Sequence, residues 1–94
     1  MQLPEFIPFD GSQTLSLRQI DQLNGLAKGA TFRLFKAHRQ QLQEGQDYFH
    51  LPADEHGELI EQLKASGQVY ATSVHLLLFT RQGYEHLQAL AKVE

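Results

Sequence analysis

Apolar side chains recur along this chain in blocks, and their spacing predicts its elements. Leu17, Ile20 and Leu23 stand at helical intervals and predict a first helix over about Ser16 to Leu23. Ser16 is its expected N-cap, with Gln19 three residues on as in a capping box. Asn24-Gly25 is the expected stop, since both residues tolerate a left-handed backbone. A second helix is expected from about Gly29 or Ala30 to Gln43, closed by Gly45. Steps of about 100° per residue place Thr31, Leu34, Phe35, His38 and Leu42 in one arc. Arg33, Lys36, Gln40 and Gln43 fall on the other side, with Phe32 and Arg39 at its margin.

Further along, Tyr48 to Leu51 reads as a short strand closed by Pro52. Ala53 to Gly67 reads as a helix with Leu59, Ile60 and Leu63 as its stripe, although Gly57 lies inside it. Val69 to Thr72 is a brief candidate strand. Val74 to Phe79 is a stronger one, apolar on both faces and therefore central or covered. Tyr84, Leu87, Leu90 and Ala91 predict a last helix over about Arg81 to Lys92. Residues 1–12, with Pro4 and Pro8 among Leu3, Phe6, Ile7 and Phe9, read as an arm lying against the core, and Asp10-Gly11-Ser12 as a turn.

Ninety-four residues with this apolar fraction predict one domain, residues 1–94, of α+β class. No apolar run approaches a membrane span, so no membrane partner is expected. The opening "MQLPEFIPFD" does not read as a secretory signal. There are no cysteines, which excludes disulfides and thiolate metal sites and makes the cytoplasm the expected setting.

Charge distribution changes the picture more. The formal net charge is −3, yet from Gln22 to Gln43 there is no Asp or Glu. That segment carries Lys28, Arg33, Lys36 and Arg39, a local charge of +4. The remainder holds four cations against eleven acids. A basic segment in an acidic frame orients docking on a polyanion without making the whole surface adhesive.

Two short helices joined by a glycine-containing turn, the second basic on its outer side, form a helix-turn-helix pattern. A helix of this kind fits the major groove of double-stranded DNA. Arg33 and Lys36 are candidates for guanine or phosphate, Gln40 for adenine, and Arg39 for the backbone. Lys28 and the first helical amides suit a phosphate oxygen. Thr31 is either a DNA contact or a helix–helix contact. Antiparallel strands after such a pair make a winged helix-turn-helix layout. The segment between the strands, "PADEHGELIEQLKASG", is mostly acidic, and suits core coverage or a protein partner better than DNA.

The stretch "LSLRQIDQLNGLAKGATFRLFKAHRQQLQEGQDYFHL", followed by "VHLLLFTRQGYEHL", resembles the small DNA-binding domains at the front of phage antirepressor-type regulators, the KilA-N and BRO-like group. The first half is also similar to the winged helix of MerR-type and excisionase-type regulators. Both resemblances imply DNA binding by the second helix and a role in transcription regulation of phage, prophage or plasmid type. They imply a hairpin begun by "EGQDYF" and closed by "LLLFTRQGY". The chain departs from the antirepressors in its acidic insert and in lacking the effector domain that usually follows.

Competing chemistries fare less well. His38, His50, His56, His75 and His86 show no pair at metal-ligand spacing. Asp54, Glu55, Glu58 and Glu61 lack the order of a cation loop and read as a solvated helix face. There is no nucleophile motif and no glycine-rich phosphate loop, so no enzyme and no cofactor is expected. The sequence thus predicts a sequence-specific DNA-binding protein acting as a homodimer on a two-fold site. The alternative is a protein-interaction module on the same fold, with the acidic insert and the last helix as working surfaces.

Overall fold

A computed structural model describes residues 6–70 and 75–93. Four strands, β1 (Ile7–Phe9), β2 (Ser12–Ser16), β3 (Tyr48–Leu51) and β4 (Leu76–Thr80), form one antiparallel sheet in the order β1-β2-β4-β3. The helices are α1 (Leu17–Leu23), α2 (Ala30–Ala37), α3 (Ala53–Ser66) and α4 (Arg81–Val93), with one turn of 3-10 helix at Arg39–Gln41. The chain is α+β, as expected.

The sheet has a core on each face, and the two-residue period of its strands decides which residue serves which. Leu15, Tyr48, Leu77 and Phe79 point to one side and pack with Ile20, Phe35, Leu42 and Leu87 from α1, α2, α4 and the turn after the 3-10 segment. Ile7, Leu51, Leu76 and Leu78 point to the other side, under Ile60 and Leu63 of α3. Continuous apolarity in β4 is thereby explained: the strand is central, paired with β2 through Leu15↔Phe79 and with β3 through Tyr48↔Phe79. The strand begins at Leu76 rather than Val74, which lies outside the described residues, and runs one residue further, to Thr80.

The expected arm is a hairpin instead, from Ile7 onward. β1 and β2 pair in the register Phe9↔Ser12, which leaves Asp10-Gly11 as a two-residue loop. Both loop residues have positive φ, 51° and 78°, as a type I′ turn requires. Pro8 is tolerated because β1 is an edge strand. Thr14 Oγ1 donates to the Ile7 carbonyl and ties the hairpin across its inner face.

α1 starts as its sequence predicts. Ser16 accepts from the Gln19 amide, and the Gln19 side chain accepts from the Ser16 amide. The Ser16 hydroxyl also donates to the Gln68 carbonyl, fastening this cap to the end of α3. α2 is shorter than expected. It ends at Ala37, and His38 (φ −118°, ψ 17°) breaks the ladder before the 3-10 turn. The break lets the chain turn inward so that Leu42 reaches the core and the Gln43 amide reaches the Asp47 carboxylate, 2.9 Å away.

β3 spans the expected residues, and α3 follows with Gly67 closing it. Its interior is kinked at His56 (φ −126°, ψ 29°), next to Gly57. Val69 and Tyr70 are not in a strand; the rest of that expected strand, residues 71 and 72, lies outside the described residues. The strands after the helix pair are adjacent and antiparallel, but α3 joins them and β4 also pairs with β2. They are half of a four-stranded sheet rather than a two-stranded wing. No helix among the described residues is long and apolar enough to cross a membrane.

The "EGQDYF" and "TRQGY" motifs meet in a single junction. The Asp47 carbonyl accepts from the Thr80 amide (3.1 Å), and the Thr80 hydroxyl accepts from the Gly83 amide (3.0 Å), capping α4. The buried Asp47 carboxylate takes Gln82 Nε2 and His86 Nδ1, each at 3.2 Å. Gly83 lies against the Asp47 backbone so closely that a Cβ there would sit 1.7 Å from the Asp47 carbonyl oxygen.

Candidate nucleic-acid interface

The placement of the basic segment follows from one carboxylate. Gly29, the N-cap of α2, has no side chain with which to hold the first helical amides. Asp21, on α1 and 1% exposed, does it from across the helix pair. Its Oδ1 accepts from the Thr31 amide (2.9 Å) and hydroxyl (2.5 Å); its Oδ2 accepts from the Gly29 amide (3.0 Å) and from Tyr70 Oη (2.5 Å). Burial by itself pushes the Asp21 carboxyl up, but the hydrogen bonds from Thr31, Tyr70 and Gly29 outweigh it and hold the group below its ordinary value. Tyr70 is pushed the other way, to about 12, by desolvation and by the hydrogen bond and charge of Asp21.

Two sequence expectations change here. Thr31 is 1% exposed and bonded to Asp21, so it makes the helix–helix contact and is not a surface group. The first amides of α2 are not open to a phosphate: Asp21 takes those of Gly29 and Thr31, and the Ala27 carbonyl takes that of Ala30. Lys28 keeps its exposure, with Nζ 5.2 Å from the centroid of the Tyr70 ring. Arg18 approaches the same ring at 5.7 Å. Neither Arg18 nor Tyr70 stood out in the sequence, where they are ten and more than forty residues from Lys28. The Asp21–Tyr70 bond brings them together, with help from Arg18 Nη1, which donates to the Val69 carbonyl (3.5 Å), and from the Ser16–Gln68 bond.

Lys28, Lys36 and Arg39 converge on a cleft of about 660 Å³. Its floor is apolar, made of Leu17, Phe35, Tyr48 and Leu77. His50 of β3 and His75, just before β4, also line the cleft; His50 pairs with Leu77 and His75 stands two residues from Leu77, and their rings lie 5.4 Å apart. Phe32, expected at the margin of the basic face, is 40% exposed at this cleft. It stacks on Phe35 (6.4 Å, 13°) and carries Lys36 Nζ 4.7 Å from its centroid. Arg33 and Gln40 are exposed but do not line the cleft, since Arg33 stands about 100° round the helix from Phe32.

Among the described residues, none of the four cations of the segment is paired with a carboxylate. Among the described residues the ion pairs are Lys64–Glu61, Arg81–Glu85 and His86–Asp47, none of them on α2. Of the acids nearest in sequence, Asp21 and Asp47 are buried and hydrogen-bonded, and Glu44 is exposed in the turn before β3 without an ion pair to the segment among the described residues. Among the described residues no cluster of three or more His, Cys, Asp or Glu could hold a metal ion. No protein-family model matches the chain, and no curated protein or solved structure matches it significantly.

Proposed function

We propose that the protein binds double-stranded DNA through α2 and the turn that follows it, as a regulator of phage, prophage or plasmid type. The helix pair α1–α2 would serve as the helix-turn-helix, and the sheet would replace the simple wing. One observation carries the reading. Lys28, Arg33, Lys36 and Arg39 are all exposed and, among the described residues, have no carboxylate partner, in an otherwise acidic chain. Two of these cations, Arg33 and Lys36, stand on a helix held at its start by a buried carboxylate, and Lys28 and Arg39 flank it; such an array suits phosphates, which dominate DNA affinity. Arg33 and Lys36 are the residues assigned to base edges, with Gln40 beside them.

The test is a gel shift or polarisation titration with mixed-sequence duplex at two salt concentrations. Three phosphates neutralised per protomer give a log–log salt slope of about −3, and a two-fold dimer about −5. The double variant Arg33→Ala/Lys36→Ala removes only exposed groups and should keep the fold while losing the shift. Undiminished duplex binding by that variant refutes the reading. Assembly without any DNA affinity, seen by sedimentation, would favour an interaction module presenting the exposed acids of α3.

A further inference from the structure

The cleft beside α2 is unlike a plain phosphate-binding surface. A phosphate needs cations and amides; it has no use for an apolar floor or for an exposed phenyl ring. This cleft has both, together with three cations at its margin. Aromatic faces interleaved with cations are what unpaired bases require, because every base has a stacking face and every nucleotide a phosphate. We infer that the cleft formed by Lys28, Phe32, Lys36, Arg39, Tyr70 and the His50–His75 pair binds a segment of single-stranded nucleic acid, with a base stacked on Phe32.

The geometry favours a strand over a single nucleotide. Lys28 stands two residues before α2, Lys36 on it and Arg39 in the 3-10 turn after it, a spread along the chain that suits successive phosphates better than one. The volume of about 660 Å³ lies within the ordinary range for ligand sites. Lys36 now rests over Phe32. A strand phosphate offers that ammonium a stronger partner than a ring face, and its departure uncovers the ring for a base. Tyr70, held by Asp21 and approached by Arg18 and Lys28, supplies a second aromatic ring in the lining. The inference deepens the nucleic-acid reading above and rests on it for the sign of the ligand's charge. It assigns a second form of nucleic acid to the cleft, where Lys28, Lys36 and Arg39 serve both readings; Phe32 is specific to the strand, and Arg33, outside the cleft, to the duplex.

That difference makes the test selective. A fluorescein-labelled oligothymidine strand and a blunt mixed-sequence duplex are titrated by polarisation, with thymidine monophosphate as competitor. Phe32→Ala should weaken strand binding about ten-fold, a typical loss for one stacking platform, and leave duplex binding unchanged. Phe32→Tyr should restore it. Lys36→Gln, which keeps the core intact, provides a second route: strand affinity falls and its salt slope flattens by about 0.7. Arg33→Ala should lower duplex affinity and spare the strand. Circular dichroism of each variant checks the fold. No strand binding by the wild type, or equal binding by wild type and a folded Phe32→Ala, overturns the inference. Displacement of the strand by the mononucleotide at equal concentration overturns the choice of a strand. Strand binding without duplex binding would sink the duplex reading alone, and the reverse would sink this one alone.

Discussion

Replacing Asp21 by alanine tests the positioning of α2 directly. The carboxylate accepts four hydrogen bonds, and its removal affects them unequally. Gly29 and Tyr70 are only partly buried, so their donors regain water. The amide and hydroxyl of Thr31 lie at 1% exposure and have no such recourse. Each buried donor left without a partner costs about 1–3 kcal/mol. Two of them, set against the relief of no longer burying a carboxylate, give a loss of about 3 kcal/mol. A chain of this length has roughly 5–14 kcal/mol of stability in all. With a urea dependence of about 1.5 kcal/mol per molar, the unfolding midpoint should fall by about 2 M. Amide exchange at Thr31 should accelerate more than at Ile20, because the start of α2 loosens first. Asp21→Asn keeps one acceptor but turns an NH₂ toward the Gly29 amide, so it should lose less, about 1–2 kcal/mol. The sign of the pH dependence follows from the same bonds. A carboxyl held below its ordinary value of 3.8 gives stability that is full above that value and is lost as pH falls through the lowered one. Wild type and Asp21→Ala should therefore converge in acid. A midpoint for Asp21→Ala within about 0.5 M of wild type would refute the account of how α2 is anchored.

Other perturbations reach other parts of the molecule. Tyr70→Phe should cost about 1 kcal/mol at neutral pH, seen as a lower urea midpoint. Because the Tyr70 phenol is raised to about 12 from an ordinary 10.0, its contribution is full below pH 10 and fades as pH rises toward 12; the gap between wild type and Tyr70→Phe should close over that window. Gly83→Ala places a methyl 1.7 Å from the Asp47 carbonyl oxygen, which neither backbone can yield without separating α4 from the start of β3. Its expected loss is about 4 kcal/mol or more, measured by thermal unfolding, and a wild-type melting temperature would contradict the close approach.

Most of the helices could be read from the sequence because their signals are local. The capping box at Ser16 and Gln19 and the glycine after Ser66 work within a few residues of the element they bound. Two-sided apolarity placed β4 at the centre. The β1–β2 hairpin was missed because Pro8 reads as a breaker, and only the sheet order shows that its missing donor faces an open edge. The early end of α2 was also hidden. It answers to Leu42 and Asp47, whose destinations depend on β3 and α4. The cations were plain in the sequence, but the cleft was not. Tyr70, His50 and His75 join it from elements that no spacing rule connects to α2.

The central place of β4 governs when this polypeptide can fold. Leu15 meets its partner only when Phe79 arrives, and Tyr48 waits for the same residue. On the ribosome, β2 and β3 have no common neighbour until β4 has left the exit tunnel, and loop closure of that span precedes any reward from either core. Fragments that stop short of Thr80 lack the strand that joins both halves, so neither core can close until synthesis has passed that residue.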